Sequence, residues 1–243
     1  MTPTARNAFL VALVIVAVIG VGLIFVNRPQ STSAAITDPD SRVVTYSVDG
    51  QTQTVTLVKL SSDPFEGARF VSGAEDAPVK IVEFADYQCP GCAFFALNVA
   101  AQFKTEFVDS GKVRLAYRDF PLQIHQNAPR AAVATACANE QGRWQAMHDI
   151  LYRSQPSWNS LSDEAFKVRL EDFARQLGLT DATFSSCVSG TKFDDAIQND
   201  LRAGEATNLT GTPTFVVNGY RVVSDRVPGI EAMRAIVAEF GVK

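Results

Sequence analysis

A chain of 243 residues, 47% apolar and 20% charged, has the composition of a globular protein with room for one ordinary domain plus an insertion or small second unit. Its net charge is −4 and its Lys and Arg residues form no cluster, which argues against a nucleic-acid partner.

Residues 8–26, AFLVALVIVAVIGVGLIFV, run for nineteen positions without a charge, close to the roughly 20 apolar residues a helix needs to cross a bilayer. Arg6 and the free amine precede this run, and Arg28 is the only nearby charge behind it. That bias places the amino terminus in the cytoplasm and everything downstream outside. The length favours an uncleaved anchor, residues 1–27, over a signal peptide, whose apolar core spans about 7–15 residues. Ser33-Ala34-Ala35 keeps cleavage open. Both readings export the rest of the chain, and the first makes it a single-pass cell-membrane protein whose bulk lies on the periplasmic or cell-surface side.

Residues 28–70 read as a tether and a hairpin. The stretch 27–41 is rich in Ser, Thr, Pro and Asp. After it, VVTYSV and QTQTVTLVKL flank Asp49-Gly50, a strong hairpin signal. This piece is too short to bury a core alone, so it is expected to pack on the main domain, residues 71–243. A turn-rich stretch, SSDPFEGARFVSGAEDAPV, leads into a short buried strand at Lys80–Ala85, and CPGC follows almost at once. Phe95, Val99, Phe103 and Phe107 then recur every four residues, which puts an apolar stripe on one helix ended by Gly111. Val113–Phe120 reads as a second strand.

Between about 123 and 206 only helical patterns follow, one of them starting near Asp163 with Ser160-Leu161-Ser162-Asp163 as a candidate capping box. Strands return at Thr214–Val217 and Tyr220–Val223 around Asn218-Gly219, and a helix from about Ile230 to Phe240 closes the chain. The order β-α-β, helical block, β-β-α predicts an α/β core with a helical insertion, its first two strands parallel.

Cys89 and Cys92 stand three residues apart at a strand-to-helix junction. Pro90 suits the first helical position, where its missing N–H costs nothing. Cys89 then sits at the helix N-terminus, where unpaired N–H groups and the helix dipole favour an anion, and the thiolate is the attacking species in disulfide exchange. Cys92, about one turn on and more buried, can resolve a mixed disulfide formed at Cys89. A Cys₄ zinc site would draw its ligands from two close pairs, whereas Cys137 and Cys187 are single and fifty residues apart. An inert disulfide within CPGC would close too small a loop to restrict the unfolded chain. Two other features bear on this centre. Thr212-Pro213 directly precedes a strand, where a plain turn and a cis bond both fit. Glu83, six residues before Cys89, is either a solvated strand residue or a carboxylate that takes up the Cys92 proton.

VKIVEFADYQCPGCAFFA, the FPL of residues 120–122, AAVATACANEQGRWQAMHDILY and GTPTFVVNG together resemble the DsbA-like branch of the thioredoxin superfamily, over roughly residues 70–243. The resemblance implies a thioredoxin fold interrupted by a helical domain. It implies that Cys89 is the exposed nucleophile, Cys92 the resolving thiol and Glu83 the buried carboxylate, and that Thr212-Pro213 forms a cis-proline loop. That loop, with Pro90 and Gly91, lines a substrate groove where an extended peptide can pair with backbone. Gly91 departs from strongly oxidising members, which carry His there, and this puts the oxidising power in doubt.

The even cysteine count of an exported protein, together with the resemblance, favours a structural Cys137–Cys187 bond over two separate buried thiols. His125 and His148 are read as structural, although His125, just after FPL, could border the groove.

The function expected is that of a thiol–disulfide oxidoreductase passing the Cys89–Cys92 disulfide to cysteines of exported proteins. A membrane partner of the DsbB or VKOR type would reoxidise it, and the N-terminal helix would contact the lipid bilayer. No bound cofactor is required, because the cysteine pair is itself the redox group. The opposite direction, reductase or isomerase, stays open, although residues 43–60 are too little for the dimerisation domain of related isomerases. A metal-binding or chaperone-like module using CPGC as a ligand pair is the rival of another class.

Overall fold

The computed structural model describes residues 40–242. The apolar run 8–26 lies outside them, and among the described residues no helix is long and apolar enough to cross a membrane.

A seven-stranded sheet organises the chain. Strands β1 (Arg42–Val48) and β2 (Gln51–Lys59) form the expected hairpin. Its two-residue loop is Asp49-Gly50, and both residues have positive φ, as the tight turn that matches strand twist requires. The third strand, β3 (Phe70–Ser72), falls within the stretch read as turns. Three residues carry too little alternation to announce a strand, and its pairing with β5 (Val113–Asp119) is what makes it one. Strand β4 (Val79–Ala85) pairs parallel with β5 and antiparallel with β6 (Thr214–Val217). Strand β7 (Tyr220–Val223) joins β6 through a second positive-φ turn at Asn218-Gly219 and carries β2 on its outer side. The hairpin therefore prolongs the main sheet and needs no core of its own.

Between β4 and β5 the chain makes α1 (Pro90–Asn98), α2 (Ala100–Phe103) and a π-helical turn over Lys104–Val108. The sequence predicted one helix here. Residues four apart advance about 40° beyond a full turn on an ideal α-helix, so four such residues in series would wind off a single face. The break at Val99 and the wider π turn absorb that drift, and Phe95, Val99, Phe103 and Phe107 are all buried. They pack on Val79, Ile81, Phe215 and Val217 of the sheet and on Met233 and Ile236 of the closing helix α8 (Ile230–Glu239). Because side chains alternate along a strand, Glu83 shares this covered face with Ile81 and Ala85.

The insertion consists of α3 (Ala128–Asn139), α4 (Trp144–Arg153), α5 (Asp163–Gln176), α6 (Asp181–Ser189) and α7 (Asp194–Glu205). Helix α5 is capped by Ser162, whose Oγ accepts from Ala165 N at 3.3 Å. The cap is thus two residues later than the Ser160 box reading, which placed the helix start correctly but began the motif too soon. Cys137 on α3 and Cys187 on α6 form a disulfide with Cα atoms 5.9 Å apart. A buried ion cluster docks α7 on the sheet: Arg118 Nη1 donates to Asp200 Oδ1 at 2.5 Å, and Arg69 Nη2 bridges Asp119 Oδ2 (2.7 Å) and Asp200 Oδ2 (2.8 Å).

Candidate active site

The site is built where β4 ends. Cys89 is the N-cap of α1 with extended backbone, and Pro90 takes the first helical position. The Thr212-Pro213 peptide bond is cis, and its loop meets the same helix end. The Cys89 thiol donates to the Thr212 carbonyl at 3.1 Å. Cys92 is completely buried, and its Sγ accepts from the backbone N–H of Asp86 at 3.4 Å. Cys89 is the more open thiol but shows only 8% of its surface, less than the exposed nucleophile expected, because the proline loop closes over it.

These surroundings separate the two thiols chemically. The Cys89 pKa falls to about 5, chiefly through a hydrogen bond from the Cys92 thiol, opposed by burial and helped by Thr212 and the N–H groups of Cys92 and Gly91. The Thr212 hydroxyl is buried, makes no other hydrogen bond and bears on both thiols. Burial pushes the Cys92 thiol well up, and its neighbour Cys89 adds to that. One cysteine is therefore ionised at neutral pH and the other keeps its proton.

Beside them runs a groove of about 320 Å³ lined by Thr212, Pro213, Arg221, Val227 and Pro228 among others. Pro90 and Gly91, expected in its lining, are not part of it; Gly91 instead packs behind that lining, where a Cβ would stand 3.1 Å from Val227 Cγ2 and 3.2 Å from Pro213 Cδ. Glycine is thus sterically matched to the loop that covers it, and a histidine at this position would displace Val227 or Pro213.

Glu83 is 6% exposed, and burial raises its pKa to about 8. No hydrogen bond joins it to Cys92. Glu83 lines a cavity of about 620 Å³ between the sheet and helices α1, α2 and α4, which Tyr117, Trp144, His148 and Tyr152 also line.

A polar network holding the active-site turn was missed in the sequence. Asp86 is buried, and its carboxylate accepts from Gln88 N at 2.6 Å, Leu122 N at 2.8 Å and His125 Nδ1 at 2.7 Å. Gln155, from the insertion, donates to the carbonyls of Tyr87 (2.8 Å) and Cys89 (3.1 Å). Gln88 Oε1 accepts from Asn127 N at 2.8 Å. His125 therefore touches the network beneath the turn, while His148 packs among Tyr87, Tyr117 and Tyr152. With Cys137 and Cys187 bonded to each other, Cys89 and Cys92 are the free thiols among the described residues, where no group of three or more His, Cys, Asp or Glu is placed to hold a metal.

Residues 66–239 match the family model described as thioredoxin. The antiporter NhaA 3 of Salinispora tropica is 34% identical over 152 residues, a stretch that makes up 62% of this chain but only 22% of the antiporter. A putative protein-disulfide oxidoreductase of Rickettsia bellii is 26% identical over 193 residues, 78% of this chain and 73% of that protein. Among solved structures, oxidised BdbD from Bacillus subtilis superposes with a TM-score of 0.65 at 22% identity, covering 76% of this chain and 97% of BdbD, a likeness of fold.

Proposed function

The chain belongs to the thioredoxin family as a DsbA-like member, and from that premise we propose that it is a thiol–disulfide oxidoreductase donating the Cys89–Cys92 disulfide to cysteines of exported proteins. One observation carries this reading: a thiolate-favouring Cys89 and a fully buried, proton-retaining Cys92 stand together beside a cis-proline groove.

A substrate thiolate attacks Cys89 Sγ, the S–S bond breaks, and its electron pair passes to Cys92 Sγ, which takes up a proton. The second substrate thiolate then attacks its own partner sulfur in the mixed disulfide and releases Cys89 as a thiolate. The substrate loses two electrons and gains a disulfide, while the chain ends reduced. A stabilised Cys89 thiolate favours that end state and hence oxidation of the substrate. The backbone beside Pro213 offers an extended substrate peptide a strand to pair with. Glu83, in a cavity reached from α4, is the group to exchange the Cys92 proton.

In this reading residues 8–26 anchor the chain in the lipid bilayer and hold the site on the extracytoplasmic side. Tethering raises the local concentration near a membrane reoxidant of the DsbB or VKOR type. Mixing the oxidised chain with one equivalent of a reduced two-cysteine peptide tests the core of this proposal. The peptide should emerge with a disulfide and the chain with two free thiols. A peptide left reduced after Cys89–Cys92 is verified as oxidised would overturn it.

A further inference from the structure

The sulfur that must accept charge when the active disulfide opens is Cys92 Sγ, and it is fully buried. A leaving thiolate in such a place needs a donor already aimed at it, because reorienting dipoles during the reaction is costly. The Asp86 backbone N–H is such a donor, 3.4 Å from Sγ.

The residue that carries it is held from several sides. The Asp86 carbonyl accepts from Cys89 N at 3.1 Å and from the Tyr152 hydroxyl at 3.4 Å. The preceding carbonyl, of Ala85, accepts from Phe120 N at 2.8 Å. The side chain binds most firmly, with both carboxylate oxygens engaged: Oδ1 by Gln88 N, Oδ2 by Leu122 N and His125 Nδ1. A carboxylate only accepts, so the His125 ring carries its proton on Nδ1. Three segments thus converge on one residue: the cysteine turn, the loop after β5 and the start of the insertion. None of the three carboxylate contacts is needed to build a strand or a helix.

We propose that Asp86 is a positioning residue for disulfide exchange, its carboxylate locking its own backbone N–H onto the sulfur of Cys92, with His125 as the outer clamp. The inference rests on the exchange chemistry proposed above. Because the Cys92 thiol is also the chief donor to Cys89, the effect of loosening Asp86 on Cys92 is read in chains that lack the Cys89 thiol.

The experiment compares Asp86→Asn, Asp86→Ala and His125→Ala with the wild-type chain, following opening of the oxidised protein by reduced glutathione and separately titrating Cys92 in a Cys89→Ala background. Asp86→Asn keeps the shape but offers one acceptor oxygen where two are used. We expect opening to slow by about tenfold in Asp86→Asn and Asp86→Ala, as for a displaced donor to a developing charge, with the lone Cys92 thiol titrating higher once its Asp86 donor is loosened. His125→Ala retains both backbone hydrogen bonds to Asp86 and should slow opening by about twofold to threefold, and it carries the test if Asp86→Ala fails to fold. Folded variants that open at the wild-type rate would overturn the proposal. So would a loss of rate with the Cys92 titration unmoved. If the wild-type chain itself does not exchange, the functional reading fails instead.

Discussion

Cys89 and Cys92 lie three residues apart on a turn crowded with hydrogen-bond donors, whereas Cys137 and Cys187 lie 50 residues apart and bind α3 to α6 within the insertion. Around the first pair stand a cis-proline loop, an aspartate-held N–H and a glutamine from the insertion. Cys137 shares the apolar cluster of the helical core with the first pair, but its sulfur is bonded to Cys187. The same side chain thus acquires its chemistry from the donors that face it. The short pair is surrounded by groups that favour a charge on one sulfur and a proton on the other. The long pair closes a loop large enough to restrict the unfolded chain.

The comparison breaks most sharply under substitution. Cys89→Ser should reduce exchange with a dithiol peptide to background, whereas the double variant Cys137→Ser/Cys187→Ser should exchange at close to the wild-type rate. Denaturant melts of the double variant should instead show a loss of about 4 kcal/mol, the chain-entropy value for such a loop. A double variant that keeps its stability and loses exchange would reverse the roles assigned to the two pairs.

Glu83 sharpens the comparison through pH. In the unfolded chain this carboxyl ionises near 4.5, but burial holds it protonated in the folded chain up to about 8. Its contribution to stability is therefore fully present below 4.5 and is lost as pH rises toward 8. Glu83→Gln cannot ionise, so its stability relative to wild type should climb across that window in urea melts at a series of pH values. Parallel profiles for the two proteins would contradict the burial argument.

The smallest expected effect concerns Gly91. Adding one methyl as Gly91→Ala crowds Val227 and Pro213 and should cost about 1 kcal/mol by overpacking. Combining it with Val227→Ala should relieve most of that loss, and additive losses in thermal melts would show that Val227 is not the neighbour at fault.

Much of the frame was legible because its signals are local. Asp49-Gly50 and Asn218-Gly219 marked hairpins by the positive φ they tolerate, and the CPGC turn announced itself by two cysteines on either side of Pro90 and Gly91. The parallel pairing of β4 and β5 followed from the helix between them. What escaped was set by distant partners. Asp86 belongs to no motif, and its role is set by Leu122 and His125, 36 and 39 residues on, which arrive at its carboxylate. Gln155 has no motif at all, and its role comes from a fold that brings it to carbonyls 68 and 66 residues away. The break at Val99 was hidden because four-residue spacing looks helical until its drift is summed over three steps.

The central claim is that this pair of cysteines is poised to give its disulfide away, even with Gly91 where strongly oxidising members carry histidine. The reduction potential of Cys89–Cys92, measured by equilibration in glutathione buffers with Cys137–Cys187 verified intact by mass, tests it most directly. The stabilised Cys89 thiolate predicts a value near the roughly −120 mV of a strong oxidant. A value near the roughly −270 mV of thioredoxin would make the chain a reductant and contradict the account.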